Sequence, residues 1–223
     1  MFVRSVGGDI LVAFTDGSLN LNWRGQPVEV AKKNWKIIKS RLGLDRLQIA
    51  YLTQVHGAVI RVVEGSGYAG VGDGLVTSAR GVALTVMVAD CLPVVLADVQ
   101  KRVICCLHCG WRSLSKGILS RACSILKSRY YADNLVAFLG PCAGSCCYEV
   151  GREFVNFFPE KHLVRRSGRL FFDMRGFAEH LLVSCGVKII DSVNECTICS
   201  GKYFSYRGGS YHGRQAAIVT ICG

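Results

Sequence analysis

No apolar run in the chain approaches the roughly 18 residues that a membrane-spanning helix needs. The first residues, MFVRSVGGDI, lack the apolar stretch of roughly 7–15 residues that a secretory signal carries, so a cytoplasmic location is expected. Histidine is scarce, with five among 223 residues, and a multicopper centre draws on many more imidazoles than that. Internal repeats, low-complexity tracts, linkers, zinc-finger spacings and RNP signatures are missing as well. A single domain over residues 1–223 is the expectation.

What is present points to a packed core. Half of the residues are AVILMFWYC, and a chain of this length can bury them. The twelve cysteines fall below the density of a disulfide scaffold, so most read as buried reduced thiols. The formal charge of +11 gathers at Lys32, Lys33, Lys36, Lys39 and Arg41 and again at Lys161, Arg165, Arg166 and Arg169. In the first group Ala31, Trp35, Ile38 and Leu42 recur on one helix face and leave the basic residues on the other. A solvated helix face is the usual fate of such a run, and no nucleic-acid partner is expected.

Three short apolar runs, Val82–Val88, Pro93–Ala97 and Val103–Leu107, have the length of strands buried on both faces. Their breaks carry Asp90-Cys91 and His108-Cys109-Gly110-Trp111-Arg112, the latter opening a helix. Further strands are predicted at Asp9–Phe14, Leu47–Leu52, Val59–Val63, Val136–Leu139, Val187–Asp191 and Ala216–Ile221. Helices are predicted over Val28–Leu42, Ile118–Arg129, Arg152–Phe157 and Arg175–Cys185. His56 sits in a turn between two β runs. Residues 65–74 hold five glycines and read as a mobile or tightly turning loop. The fold class is α+β, a mixed β-sheet core with helices packed outside.

Cys91, His56 and His108 supply one thiolate and two imidazoles, a three-ligand zinc set that leaves a fourth position for water or substrate. Gaps of 35 and 17 residues separate them, so no short motif joins them. A buried cysteine and two hydrogen-bonded histidines would explain each singly. The same residues suit a covalent hydrolase with Cys91 as nucleophile and His108 as base. Asp73 and Asp90 are candidates for acid/base work or, more commonly, for orienting a metal-bound histidine. Arg112, just ahead of a helix, is the leading candidate for binding phosphate or substrate, against a structural ion pair. Cys106-x-x-Cys109 and Cys196-x-x-Cys199 have zinc or redox spacing, and a second zinc knuckle requires the two pairs to meet. Cys142, Cys146 and Cys147 follow a Gly-Pro turn that can bring them towards the main site. His162, His180 and His212 carry no partner pattern.

Eight short blocks stand in order: Thr53-Gln54-Val55-His56-Gly57, Asp73-Gly74-Leu75-Val76-Thr77, Ala89-Asp90-Cys91-Leu92-Pro93-Val94, His108-Cys109-Gly110-Trp111-Arg112, Gly140-Pro141, Cys147-Tyr148-Glu149-Val150-Gly151, Cys196-Thr197 and Ser205-Tyr206-Arg207. With Ser18-Leu19-Asn20-Leu21 they resemble, almost end to end, the YfiH or laccase-domain family, also called polyphenol oxidase and zinc-dependent purine nucleoside phosphorylase. The resemblance implies a cysteine-hydrolase-like αββα fold and one zinc on His56, Cys91 and His108. It implies phosphorolysis of adenosine, inosine and methylthioadenosine with inorganic phosphate, together with adenosine deamination. Arg207 and Arg214 match the family's basic C-terminal pattern and join Arg112 as substrate-binding candidates. Departures are Cys109, Ser113, Gly208 and His212, where the family usually has Ala, Gly, Arg and Thr. The older family name implies copper oxidation of phenols, and a related suggestion is a Cys-His hydrolase that edits peptidoglycan precursors. Zinc brings the pKa of bound water towards about 7, which suits attack at C6 of a purine. Phosphorolysis asks instead for a held phosphate and a stabilised oxocarbenium-like centre.

Overall fold

Strands that are apolar at every position must be covered on both faces. The computed structural model, which describes residues 1–45 and 48–222, meets that demand with an α+β fold of four layers. In chain order the elements are β1 (Phe2–Val6), β2 (Ile10–Phe14), α1 (Val28–Arg41), β3 (Gln48–Thr53), β4 (Ile60–Val62), β5 (Gly67–Val71), β6 (Gly74–Thr77), β7 (Val82–Val88), β8 (Leu92–Asp98) and β9 (Val103–Cys109). There follow α2 (Trp111–Ser115), α3 (Ile118–Tyr130), β10 (Val136–Leu139), β11 (Glu149–Val150), β12 (Leu163–Arg166), β13 (Arg169–Phe172), α4 (Met174–Ser184), β14 (Lys188–Ser192) and β15 (Gln215–Ile221). One mixed sheet has the order β1-β2-β15-β7-β3-β5, a second β14-β10-β8-β9-β6-β4, and a small third sheet β11-β13-β12.

Alternation along the strands explains the layering. Val82, Leu84 and Val86 of β7 meet Val95 and Ala97 of β8 and Ile104 and Cys106 of β9 in the core between the two large sheets. The other parity of β8 and β9, including Val94, Leu96, Cys105 and Leu107, faces α3 and α4 through Leu119, Ala122 and Leu182. On the outer face of the first sheet, Trp35 and Ile38 of α1 cover Ala13, Ala83 and Ile218. The Trp35 indole donates to the Leu21 carbonyl at 3.0 Å and stacks on Trp23 at 5.8 Å, which ties the polar loop before α1 to the core. The lysines of α1 remain on its solvent side.

Several boundaries differ from the sequence reading. The predicted strand from Leu47 begins at Gln48, Leu47 lying outside the described residues. Half of the glycine-rich stretch is the edge strand β5, paired in parallel with β3; at an edge, missing side chains cost little packing. The strand predicted to stop at Leu107 runs on through His108 and Cys109, because Leu92 and Pro93 of β8 pair with both. Arg152–Asn156 is a 3₁₀ helix rather than an α-helix, and β1, β6, β11, β12 and β13 were not anticipated. All twelve cysteines are free, but only Cys105, Cys106, Cys109, Cys123 and Cys142 are fully buried. Among the described residues no helix is long and apolar enough to cross a membrane.

Candidate active site

Antiparallel pairing of β8 with β9 sets Pro93 opposite His108, so the residue that precedes β8, Cys91, and the last residues of β9 meet at one end of the strands. The turn after β3 brings His56 to the same end. One ligand atom from each of His56, Cys91 and His108 lies within 4.8 Å of the others. Cys91 Sγ is 3.7 Å from His56 Nε2, and the two imidazoles meet edge-on at 4.8 Å between centroids. A side chain at position 110 would intrude here: a Cβ on Gly110 would stand 2.9 Å from His56 and 3.0 Å from Cys91 Sγ. The glycine of the HCGWR block is therefore a steric requirement of the trio.

Asp73, wholly buried, organises this arrangement from behind. Its Oδ1 lies 2.8 Å from His108 Nδ1 and accepts the His56 N–H at 2.9 Å, while Oδ2 accepts the Gly57 N–H at 2.6 Å. The backbone adds a bond from His108 N–H to the Asp73 carbonyl at 2.7 Å. Burial opposes ionisation of Asp73, but His108 and the N–H groups of Gly57 and Val55 outweigh it and hold the carboxyl below its usual range. With both oxygens engaged, Asp73 fixes the His108 ring through Nδ1 and leaves the other side of the ring to Cys91.

Asp90 has a similar duty on the opposite wall. It adopts φ 82°, a conformation that non-glycine residues seldom take, and its oxygens accept from Thr197 Oγ1 at 2.6 Å and from the Arg207 N–H at 2.7 Å. The carboxylate thereby ties the turn that presents Cys91 to the C-terminal loops. Both carboxylates make bonds that fix the turns around the trio, which suits the positioning role considered for Asp73 and Asp90.

Electrostatics within the trio are coupled. Burial disfavours a thiolate at Cys91, yet His108 and then His56 hold the thiol down to about 6. Burial likewise disfavours a cation at His108, yet Cys91 and Asp73 push it up to about 9. Without a metal, each of the two groups favours the charged form of the other. Sulfur beside an imidazole anchored by Asp73 and a further imidazole is also a donor set that could hold a metal ion with an open position.

The trio lies in a cleft of about 1120 Å³, just above the roughly 300–1,000 Å³ usual for small-molecule sites. Arg24, Arg112, Arg207 and Arg214 line it, with Asp90 as its only acidic residue among the described residues. Aromatic planes of Tyr51, Tyr68, Tyr148, Tyr206 and Tyr211 complete the walls. Arg112 is inside α2, which begins at Trp111 and has five residues, so the expectation that it precedes a helix with free N–H groups does not hold. Its guanidinium lies over the Trp111 ring at 4.3 Å, and among the described residues it makes no ion pair. Arg207 donates to the Glu149 carbonyl at 2.8 Å and lies over Tyr148 at 5.2 Å. Arg214 donates to the Gly213 carbonyl at 2.6 Å and the Tyr211 carbonyl at 3.1 Å.

Sequence reasoning missed Arg24, in the loop before α1, and Tyr148, which stood in one of the eight blocks without a role. The two Cys-x-x-Cys pairs do not meet. Cys106 is buried between the sheets with its Sγ 3.8 Å from the Ala217 carbonyl, remote from the Cys196-x-x-Cys199 turn. That turn meets Cys146 and Cys147 instead, forming a second cluster. His212 lines the cleft. His162 is buried against Phe177 at 5.5 Å, with His180 at 5.7 Å from it.

Fold and site together define a layered α+β protein with a thiolate–imidazole centre at the ends of paired strands. The profile described as "Multi-copper polyphenol oxidoreductase laccase" matches residues 2–222, and the chain belongs to this laccase-like YfiH family. It is 39% identical over 150 residues to "Purine nucleoside phosphorylase" of Aquifex aeolicus, covering 67% of this chain and 71% of that protein. A Corynebacterium glutamicum protein, "Purine nucleoside phosphorylase Cgl2154/cg2365", is 30% identical over 230 residues, 99% of this chain and 93% of the relative. Among solved structures, NMB0706 of Neisseria meningitidis superposes with a TM-score of 0.84 at 27% identity, covering 100% and 99% of the two chains. YfiH of Bacillus licheniformis gives 0.88 at 22% identity, covering 95% and 92%, a likeness of fold.

Proposed function

We propose that the chain is a zinc-dependent purine nucleoside phosphorylase, acting on adenosine, inosine and methylthioadenosine, that also deaminates adenosine. The observation that carries the reading is a cleft in which the His56, Cys91 and His108 trio faces arginines and aromatic planes. The names of relatives from Aquifex aeolicus and Corynebacterium glutamicum support it.

His56, Cys91 and His108 would hold the ion, which when bound supplies Lewis acidity to the reacting groups. The remaining work falls to the chain's own residues. Four arginines without a free carboxylate opposite them favour inorganic phosphate, and Arg112, unpaired with any acid among the described residues, has its guanidinium available for two oxygens at once. Tyrosine faces suit a purine ring, which stacks on aromatic side chains irrespective of its substituents. Phosphorolysis then needs a phosphate oxygen to bond to the ribose anomeric carbon while the bond to the purine nitrogen breaks. The electron pair leaves with the base, which takes up a proton. Asp73 contributes by keeping His108 in one tautomer and orientation throughout.

A second reading rests on the metal-free electrostatics. A Cys91 thiolate beside two imidazoles suits a covalent hydrolase acting on peptidoglycan precursors. Copper oxidation of phenols is disfavoured by the donor inventory, since two of the five histidines belong to the trio while His162 and His180 pack against Phe177 or each other. Incubating zinc-loaded protein with adenosine, with and without phosphate, separates the readings by chromatography. Adenine that forms only with phosphate marks phosphorolysis, and inosine marks deamination. Failure to release base with phosphate present would overturn the phosphorylase assignment. Acylation of Cys91 in metal-free protein would favour the hydrolase.

A further inference from the structure

We propose that Cys146, Cys147, Cys196 and Cys199 form a closed tetrathiolate site for one zinc ion, which fastens together the two loops that wall the cleft. The cluster joins residues from distant parts of the chain, Cys146 and Cys199 being 53 positions apart. Their sulfurs, with those of Cys147 and Cys196, all lie within 4.8 Å of one another. Four sulfurs at about 2.3 Å from a tetrahedral ion stand about 3.8 Å apart, and Cys146 Sγ is 3.8 Å from Cys199 Sγ. All four thiols are free, so the spacing is not that of a disulfide. A tetrahedral sulfur set selects zinc or iron over harder ions, and a complete set of four leaves no position for substrate.

The surroundings are built for bound sulfur. Gly144 donates its N–H to Cys196 Sγ at 3.3 Å, a contact that favours thiolate over thiol. A Cβ at Gly144 would stand 3.2 Å from Cys196 Cβ and 3.3 Å from Cys146 Sγ, so glycine lets the first loop close on the second. The loops are already registered by a parallel bridge between Cys142 and Cys196 and by the Thr197 N–H donating to the Cys142 carbonyl at 3.0 Å. Four thiolates around a divalent ion carry a net charge of about −2, and Arg166 places a guanidinium alongside by donating to the Cys146 carbonyl at 2.8 Å. The consequence reaches the cleft. Tyr148 follows the first pair of cysteines, and Arg207, lying over its ring, follows the second.

The inference stands apart from the phosphorylase reading and is tested without it. In protein purified under reducing conditions, carrying His56→Ala and Cys91→Ser to remove the other centre, elemental analysis should find close to one zinc per chain. Titrating its metal-free form with Co²⁺ should give the strong visible bands of a four-thiolate cobalt centre, and adding Cys146→Ser and Cys199→Ser should abolish them. Iron in place of zinc would overturn the choice of metal. No retained metal, or an intact mass lighter by about 2 or 4 Da from disulfides, would overturn the site. Should those variants not fold, alkylation mapping of the wild-type holoprotein decides. Cys146 and Cys199 are exposed, yet should resist iodoacetamide until a chelator is added; rapid labelling beforehand overturns the proposal.

Discussion

His56, Cys91 and His108 come from the ends of paired strands and turns anchored by buried Asp73, whereas Cys146, Cys147, Cys196 and Cys199 come from two loops with half of their thiols exposed. The first group has three donors and opens into a cleft of about 1120 Å³; the second has four, none of which lines that cleft. Donor count separates their roles: three ligands leave chemistry possible, and four leave only cohesion. Rigidity separates them too. The open site borrows its precision from a double-sheet core, while the closed one would have to supply order to the loops around it.

Exchanging a ligand at each centre is the sharpest way to break that contrast. Cys91→Ser should cost more than about 100-fold in phosphorolysis, since altering merely the partner of a metal ligand costs about 10–100-fold, while leaving the melting temperature nearly in place. Cys199→Ser should do the reverse, lowering the melting temperature by about 4–8 °C for a loss of ~2 kcal/mol with a smaller loss of rate. Equal effects of both substitutions on both readouts, in purified protein with counted zinc, would erase the distinction.

Asp73→Asn probes how the open site is held. The amide keeps the shape but brings a donor group where two oxygens accept from His108, His56 and Gly57. Metal affinity should fall by about 10–100-fold, measured by competition with a chromophoric chelator. An unchanged affinity would remove Asp73 from the positioning role.

Thiol ionisation gives a third test with a definite sign. The Cys91 thiol is held down to about 6, chiefly by His108 acting against burial. Its thiolate is the reactive form, so iodoacetamide labelling of metal-free protein should rise through a midpoint near 6 and be nearly complete in rate by neutral pH. An ordinary thiol would need pH near about 8.5. His108→Ala should move the midpoint upward. A midpoint that stays put would show that the imidazole is not the cause.

How much of this was legible depended on where the physical signal resided. The strands that became β7, β8 and β9 were readable because both faces are buried, leaving unbroken apolar runs. Helices α1 and α3 were readable because only one face is. The hairpin of β12 and β13 was not, since arginines at 165, 166 and 169 hide its alternation; its turn, Ser167-Gly168, with both φ values positive, was the signal available. The trio at the open site was assembled from residue types, and from a family resemblance, before any geometry. The four-cysteine cluster could not be, because it depends on the long-range bridge between Cys142 and Cys196, and the spacing within Cys196-x-x-Cys199 names no partner.

The smallest expected effect is also the most discriminating for the cleft. Arg112 offers its guanidinium beside the trio, over Trp111 at 4.3 Å, and no acid among the described residues holds it. Were it a structural ion-pair partner, Arg112→Lys would lower the melting temperature and leave the dependence on phosphate alone. With no ion pair to break, stability should change by less than about 0.5 kcal/mol. Lysine keeps the charge but loses the planar fork that grips two oxygens, and it stacks less well on an indole. The half-saturation for phosphate should therefore rise about tenfold, a difference of ~1.4 kcal/mol, with zinc content unchanged. Rate against phosphate concentration, measured beside a melting curve, reads both quantities. If half-saturation stays constant, the anion belongs with Arg207 or Arg214, whose guanidinium groups are presently engaged by backbone carbonyls and would have to turn towards the cleft to receive it.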